Sequence, residues 1–181
     1  MICKIAADSS ANIYEFSEIG FESVPLKIIT AKKEYVDDRE LDIGKMVAEI
    51  KETKGKSGTS CPNIGDWLNA FDGADVVFAI TITSRLSGSF STAEEAAKIY
   101  MVAHPGAKVF VVDSLSTGPE MKLLVEHISD LMQQEKSFEE IRDSVIEYKN
   151  HTNLLFSLES LTNLARNGRV NPAVAKIAGV L

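Results

Sequence analysis

The stretch 76–101 constrains the fold of this chain more than any other. It begins with the apolar run 76–80 (VVFAI), which is short and rich in β-branched residues, as is typical of a buried strand in a parallel sheet. A loop of hydroxyl side chains with one glycine follows at 81–91, and the rest of the stretch has the composition of a helix. Parallel sheets bind ligands where such a strand ends, and a helix start favours an anion, so Ser87 and Gly88 are candidate binding residues. Serine and glycine also cap and turn ordinary helices, so this loop alone does not decide the function.

Strand-like and helix-like segments alternate from Cys3 to Leu158. Strands are predicted at 2–7, 24–29, 33–37, 76–80, 108–114 and 154–158, and helices at 42–53, 62–72, 92–103, 119–134 and from 137 onward. Residues 54–60 are predicted to form a polar loop, and Ser137 and Glu140 match a capping box at the start of the last helix. This alternation predicts an α/β fold with a mainly parallel sheet and helices on both faces. Residues 1–158 would form that domain, and residues 159–181 would begin a second, α+β domain.

The last ten residues, 172–181, form an apolar segment that stops without a charge or a helix cap. A large exposed apolar patch is uncommon on soluble monomers, so we expect this segment to belong to a truncated second domain. The alternative is an ordinary terminal helix that docks on the first domain.

Three predicted strands end in acidic or hydroxyl side chains. These ends are Asp8-Ser9-Ser10, Thr83-Ser84 and Asp113-Ser114. They can converge at one edge of the sheet and face a ligand, although Asp8 can equally cap the turn that follows it. In the helix at 42–53, four apolar residues have i, i+3, i+4 and i+7 spacing and predict one buried stripe. They are Ile43, Met46, Val47 and Ile50.

Composition excludes several classes of binding partner and site. The net charge is −7 and there is no basic stripe, which argues against nucleic acid. No apolar run is long enough to cross a bilayer, and the N-terminus shows no signal peptide. The two cysteines, Cys3 and Cys61, give no disulfide framework, so a cytoplasmic location is expected. The three histidines lie far apart without metal-ligand spacing, and no metal site is expected. They are His104, His127 and His151.

Six short segments carry a family resemblance. They are Asp8-Ser9-Ser10-Ala11, Val24-Pro25-Leu26, Thr59-Ser60-Cys61-Pro62, Leu86-Ser87-Gly88-Ser89, Val112-Asp113-Ser114 and Asn167-Gly168-Arg169-Val170. With these segments in this order, the chain resembles the DegV family of bacterial fatty-acid-binding proteins. The resemblance implies an N-terminal α/β domain, a C-terminal domain and a fatty acid held between them. Cys61 departs from the pattern, since the family often has a polar residue there.

The resemblance also implies a function. Family members act as lipid-binding subunits of a fatty-acid kinase and are not enzymes by themselves. They present the acyl carboxylate to the kinase, and the acyl phosphate enters phospholipid synthesis. No cofactor is implied apart from the bound long-chain fatty acid.

The same resemblance gives roles to individual residues. It assigns the carboxylate to Thr59 and Ser87, and the Gly88 amide at the helix start would add a third donor. It assigns Arg169 to the encounter with the kinase, as an exposed side chain on the turn at Gly168. The alternative for Arg169 is a surface arginine near a helix end.

Other functions remain open at this point. A hydrolase or phosphotransferase could use Ser87 or Asp8, but no histidine base lies in the loops named above, and no Gly-x-Ser-x-Gly motif occurs. A nucleotide-binding protein would need a glycine-rich phosphate loop, and neither common form is present. A protein-interaction module without lipid would show a crevice too small for an alkyl chain.

Overall fold

The structure is a computed structural model that describes residues 1–17, 19–52, 57–155, 157–158, 161–171 and 173–174. Its strands are β1 (Cys3–Asp8), β2 (Gly20–Val24), β3 (Lys27–Ile29), β4 (Glu34–Val36), β5 (Gly58–Ser60), β6 (Val76–Thr81) and β7 (Lys108–Asp113). Its helices are α1 (Ile43–Glu52), α2 (Ile64–Phe71), α3 (Ser89–Ala103), α4 (Pro119–Gln133), α5 (Phe138–Asn150) and α6 (Thr162–Arg166).

Four parallel strands form the main sheet, in the order β2-β1-β6-β7. Strand β6 lies at its centre, and all six of its residues are buried. Because successive side chains of a strand point to opposite faces, Phe78 and Ile80 pack with α4 and α5, while Val77 and Ala79 pack with α2 and α3. The predicted α/β class, with a parallel sheet and helices on both faces, is therefore confirmed.

A second, antiparallel sheet has the order β4-β3-β5. The single strand predicted at 24–29 is in fact two: Val24 ends β2 in the main sheet, and β3 begins at Lys27 in the small sheet. Pro25 separates them, because proline has no amide to continue the ladder. The residues 57–60, predicted as part of a polar loop, contain β5, in which Thr59 pairs with Ile28.

The buried stripe predicted on α1 is wrong. No residue of α1 is buried, and the side chains of Ile43 and Val47 are 60% and 37% exposed. Helix α1 is joined to the small sheet by polar contacts, in which Thr30 Oγ1 and Tyr35 Oη donate to the Glu49 carboxylate. The periodicity identified the helix correctly but could not show that its apolar side lies away from the main core.

The strand predicted at 154–158 is not found in the described residues of that run, and Leu155 is 92% exposed. The predicted domain boundary at 158/159 and most of the apolar segment 172–181 lie outside the described residues. The capping box predicted at Ser137 is present: Ser137 Oγ accepts from the Glu140 amide at 3.3 Å, and Glu140 Oε2 accepts from the Ser137 amide at 2.8 Å.

Replacing Ser137 by alanine is expected to lower the free energy of unfolding by about 1 kcal/mol, because α5 loses its N-terminal acceptor. Urea unfolding followed by circular dichroism measures the change. Ser91→Ala is the matched control, since the exposed Ser91 hydroxyl makes no hydrogen bond within the described part of the chain. Equal stabilities of the two variants would contradict this role for the cap.

Candidate functional site

The loop between β6 and α3 is held at both of its ends by Asp8, the last residue of β1. Asp8 Oδ2 accepts from the Ile82 amide at 2.8 Å and from Ser89 Oγ at 2.6 Å. Its other oxygen, Oδ1, accepts from Ser10 Oγ at 2.5 Å and from the Ser10 amide at 3.3 Å. The Asp8 side chain is fully buried, and it also caps a short 3₁₀ turn, Ser9–Ala11. Of the two roles considered from the sequence, capping the next turn is present, whereas the buried Asp8 side chain holds the loop and does not itself face a ligand.

The same loop is held from the other side by the end of β7. Asp113 Oδ1 accepts from the Ser84 amide at 3.1 Å, and the Thr83 amide donates to the Ser116 carbonyl at 2.9 Å. The three polar strand ends thus converge at the carboxyl edge of the sheet, as the sequence indicated. The specific contacts of Asp8 and Asp113 with this loop were not predicted, although an aspartate at the end of each neighbouring strand was the available signal.

Ser87 and Gly88 lie where this loop becomes helix α3. Ser87 Oγ accepts from the Ser89 amide at 3.3 Å, and Gly88 is the exposed N-cap residue. A glycine cap offers no side-chain acceptor to the first-turn amides, so those beyond Ser89 stay available to an anion.

Arg169 forms a bridge between Thr59 and this loop. The Arg169 Nε–H donates to the Leu86 carbonyl at 2.9 Å, and its Nη2–H donates to Thr59 Oγ1 at 3.1 Å. The side chain is partly buried and bridges two elements of the site, so the expectation of an exposed arginine is wrong. Sequence reasoning missed the contact because β5 and the 167–169 turn are far apart in the chain.

The turn that positions Arg169 is formed by the motif Asn167-Gly168-Arg169 at the end of α6. The Gly168 amide donates to the Ala165 carbonyl at 3.1 Å and the Arg169 amide to the Leu164 carbonyl at 2.8 Å, which is the Schellman pattern at a helix end. Gly168 has the positive φ of 73° that this pattern needs. Asn167 Nδ2 donates to the Ser57 carbonyl at 3.1 Å, so the motif is fastened to the segment that leads into β5.

The segment after β5 also runs along the start of α3. A Cβ atom built on Gly88 would lie 3.3 Å from Cys61 Sγ, and Thr92 Oγ1 donates to the Pro62 carbonyl at 3.0 Å. Thr59, Ser87 and Gly88, the three predicted ligand-binding residues, are therefore held on two adjoining segments.

A groove of about 880 Å³ opens beside these residues. Its apolar lining is Leu86, Leu115, Leu154, Leu155, Leu158 and Leu164, and its hydroxyl lining includes Ser10, Thr83, Ser114 and Ser116. Leu86 links the groove to the predicted site, since Ser87 follows it directly. Thr59, Ser87, Gly88 and Arg169 themselves lie outside the lining, at the Leu86 end. Lys149 also lines the groove, and burial lowers its pKa, partly opposed by Asp113 and Glu120.

A second cavity, of about 710 Å³, lies at the opposite edge of the sheet. It is lined by the first residues of three strands, Cys3, Val76 and Lys108, together with Phe78 and Phe138. None of the predicted site residues lines it. Because parallel sheets bind ligands at the carboxyl ends of their strands, we assign the candidate site to the groove near Leu86.

The histidines have other partners. His104 Nδ1 lies 3.1 Å from the Tyr100 carbonyl, and His127 Nε2 lies 2.9 Å from Ser144 Oγ. His151 Nε2 lies 2.8 Å from Glu147 Oε1. Within the described ranges no group of acidic, histidine or cysteine side chains could hold a metal ion. Among the helices of those ranges, none combines the length and apolar character needed to span a membrane.

Comparison with known proteins gives a single family. The sequence model of the DegV family, described as uncharacterised proteins, matches residues 3–181. A DegV domain-containing protein of Streptococcus pneumoniae strain R6 is 41% identical over 185 residues, which cover 100% of this chain and 66% of that protein.

Two solved structures resemble this chain closely. One is the fatty acid kinase (Fak) B3 protein of Streptococcus pneumoniae loaded with linoleic acid, at 41% identity and a TM-score of 0.96, covering 100% of this chain and 66% of the other. The other is a DegV family protein of Eubacterium eligens loaded with heptadecanoic acid, at 43% identity and a TM-score of 0.94, covering 99% and 65%. The chain thus spans just under two thirds of the length of these relatives.

Proposed function

Because this chain belongs to the DegV family, we propose that it binds a long-chain fatty acid and presents the carboxylate to a partner kinase that forms the acyl phosphate. One observation carries the proposal: Thr59 and the helix start at Ser87 and Gly88 are held on two adjoining segments next to Leu86, which lines a leucine-rich groove. The two similar structures loaded with linoleic and heptadecanoic acid support it.

Thr59, Ser87 and Gly88 are the proposed carboxylate site. Two hydroxyl donors and the amides at the start of α3 can bind a carboxylate without a buried lysine. Each hydrogen bond to a charged group contributes roughly 1.5–3 kcal/mol.

The acyl tail is proposed to follow the leucine side chains of the groove. Burying each CH₂ group contributes about 0.8 kcal/mol, so a chain of a dozen or more methylenes contributes more than the head group. The volume of about 880 Å³ lies within the usual range for pockets that enclose a small ligand. The head group would therefore set the orientation of the lipid, and the tail would set the affinity.

Arg169 is proposed to act in the encounter with the kinase. Two of its N–H groups contact Thr59 and Leu86, and within the described residues the other guanidinium donors have no partner. A planar cation beside the carboxylate can recognise an acidic or phosphate-bearing partner. The protein would supply no catalytic group and no cofactor of its own, and it would act in the cytoplasm, where its acyl phosphate enters phospholipid synthesis.

The geometry disfavours a hydrolase or phosphotransferase. Ser87 Oγ contacts the Ser89 amide, and each histidine has a partner elsewhere, so the serine has no histidine base within the described part of the chain. Asp8 is fully buried and accepts four hydrogen bonds, which leaves its carboxylate no access to a substrate.

The direct test is uptake of oleic acid by delipidated full-length protein, titrated against a fluorescent fatty acid. Saturable uptake of one oleate per protein supports the proposal. No uptake, with the protein folded by circular dichroism, would contradict it.

Cys61→Ser is expected to change the oleate Kd by less than about threefold, which corresponds to under about 0.7 kcal/mol. Cys61 Sγ lies beside Gly88, 3.3 Å from where a Cβ atom on that residue would be, and its thiol offers no strong donor to a carboxylate. The same titration measures this change. A tenfold loss of affinity would place Cys61 in direct contact with the head group.

A further inference from the structure

We propose that Asp8 is the positioning residue of the carboxylate site, in that its buried side chain fixes the backbone of the 82–89 loop in the binding geometry. This inference rests on the proposed function, since the loop carries Ser87 and Gly88. Asp8 would not touch the ligand itself, because its side chain is fully buried.

The two ends of the loop converge on one oxygen atom. Asp8 Oδ2 accepts from the Ile82 amide, directly after β6, and from Ser89 Oγ, at the first residue of α3. The loop between them is closed by one turn, in which the Leu86 and Ser87 amides donate to the Thr83 carbonyl at 3.0 and 3.3 Å. A shift of Asp8 Oδ2 would therefore move both ends of the loop, and the Ser87 hydroxyl with them.

The arrangement calls for a carboxylate. Oδ1 accepts from the amide and the hydroxyl of Ser10, so two fixed backbone N–H groups, of Ser10 and Ile82, point at different oxygens of one side chain. An asparagine has a single acceptor oxygen, and its NH₂ group would face one of these N–H groups. Burial raises the pKa of Asp8, while the hydrogen bonds from Ser10, Ser89 and Ile82 oppose that shift by favouring the ionised form.

Ser10 extends the same network to the groove. Its side chain lines the groove, and its Oγ donates to Asp8 Oδ1 at 2.5 Å. The buried carboxylate thus joins the carboxylate site to the wall along which the acyl tail is proposed to lie.

Asp37 provides a matched control. It lies near the same end of β1, where Asp37 Oδ2 accepts from Ser9 Oγ at 2.7 Å and Oδ1 accepts from Tyr14 Oη at 3.1 Å. It makes no hydrogen bond to the 82–89 loop within the described residues. Asp37→Asn therefore perturbs a hydrogen-bonded aspartate that is only partly buried, and it leaves the loop alone.

The experiment compares Asp8→Asn, Ser89→Ala and Asp37→Asn in full-length protein. It measures the oleate Kd, the thermal midpoint, and amide hydrogen exchange across 82–89 in ligand-free protein. Asp8→Asn is expected to raise the Kd at least tenfold and the exchange rates of the loop at least tenfold. Ser89→Ala, which removes one of the Oδ2 contacts, is expected to shift both in the same direction by a smaller factor. Asp37→Asn is expected to change neither the oleate Kd nor the exchange rates of the loop by more than about twofold. The loss of affinity in Asp8→Asn would then come from misplaced binding groups and not from lost stability.

Two results would overturn the inference. One is an unchanged Kd in Asp8→Asn and Ser89→Ala when wild type binds oleate. The other is equal loss of affinity in Asp8→Asn and Asp37→Asn that follows their thermal midpoints, which would make Asp8 a merely structural residue. If wild type binds no oleate, the proposed function fails, and the exchange measurement still decides whether Asp8 fixes the loop: unchanged exchange would refute it. If Asp8→Asn does not fold, Ser89→Ala carries the same test.

Discussion

Replacing Thr59 or Ser87 by alanine is expected to weaken fatty-acid binding on the order of 10- to 100-fold, with the fold intact. Each substitution removes one hydrogen-bond donor to a charged carboxylate, which costs roughly 1.5–3 kcal/mol. Both residues are at least partly exposed, and neither packs in the two buried clusters, so the free energy of unfolding should change little. Titration of delipidated protein with oleic acid measures the effect, and thermal unfolding checks the fold.

Ser84→Ala is the control for these variants. Ser84 belongs to the same loop and is exposed, but its hydroxyl makes no hydrogen bond within the described residues. Thr59→Val serves as a second comparison, because it keeps the shape of the side chain and removes only the hydroxyl. The carboxylate lies elsewhere if Thr59→Ala and Ser87→Ala bind oleate as tightly as Ser84→Ala does.

Arg169→Ala is expected to lower acyl-phosphate formation with the cognate kinase and ATP by at least about tenfold, equivalent to ~1.4 kcal/mol. The oleate Kd should change by less than about threefold, because Thr59, Ser87 and Gly88 still bind the carboxylate. Phosphorylation should fall because the guanidinium contacts Thr59 Oγ1 and lies where the head group would meet the kinase. Phosphate transfer is measured with radiolabelled ATP at saturating lipid.

Two further variants sharpen this test. Arg166→Ala removes an exposed arginine from the last turn of α6 and should leave phosphorylation unchanged. Arg169→Lys keeps the charge but loses the planar fork, so partial activity would separate charge from geometry. A loss of oleate affinity as large as the loss of rate would place Arg169 in the carboxylate site. Undiminished phosphorylation in Arg169→Ala would show that Arg169 is an ordinary surface arginine with no part in the kinase encounter.

The fold could be predicted where one short pattern determined one element. The β-branched run of β6 identified a strand buried on both faces, and the Ser137 capping box marked the start of α5. The failures came from tertiary context. Pro25 divided a single apolar run between two sheets, and α1 was placed correctly while its apolar side remained exposed.

The candidate site was predicted only in part, for a similar reason. Hydroxyls at a strand end and at a helix start gave Ser87 and Gly88 a local signal, and the family resemblance added Thr59 and Arg169. The contact between Arg169 and Thr59 joins residues more than a hundred positions apart. Such contacts depend on how β5 and α6 pack against the loop, which no local spacing encodes. The sequence allowed Asp8 either to face a ligand or to cap the next turn. The structure shows the cap, together with a contact to the loop that the sequence did not predict.

The measurement that tests the central claim most directly is native mass spectrometry of full-length protein purified without added lipid. The account predicts a mass increment of one long-chain fatty acid per protein. That increment should be lost on delipidation and restored by incubation with oleic acid. A protein that is folded, carries no acyl chain as purified and takes up none afterwards would contradict the account.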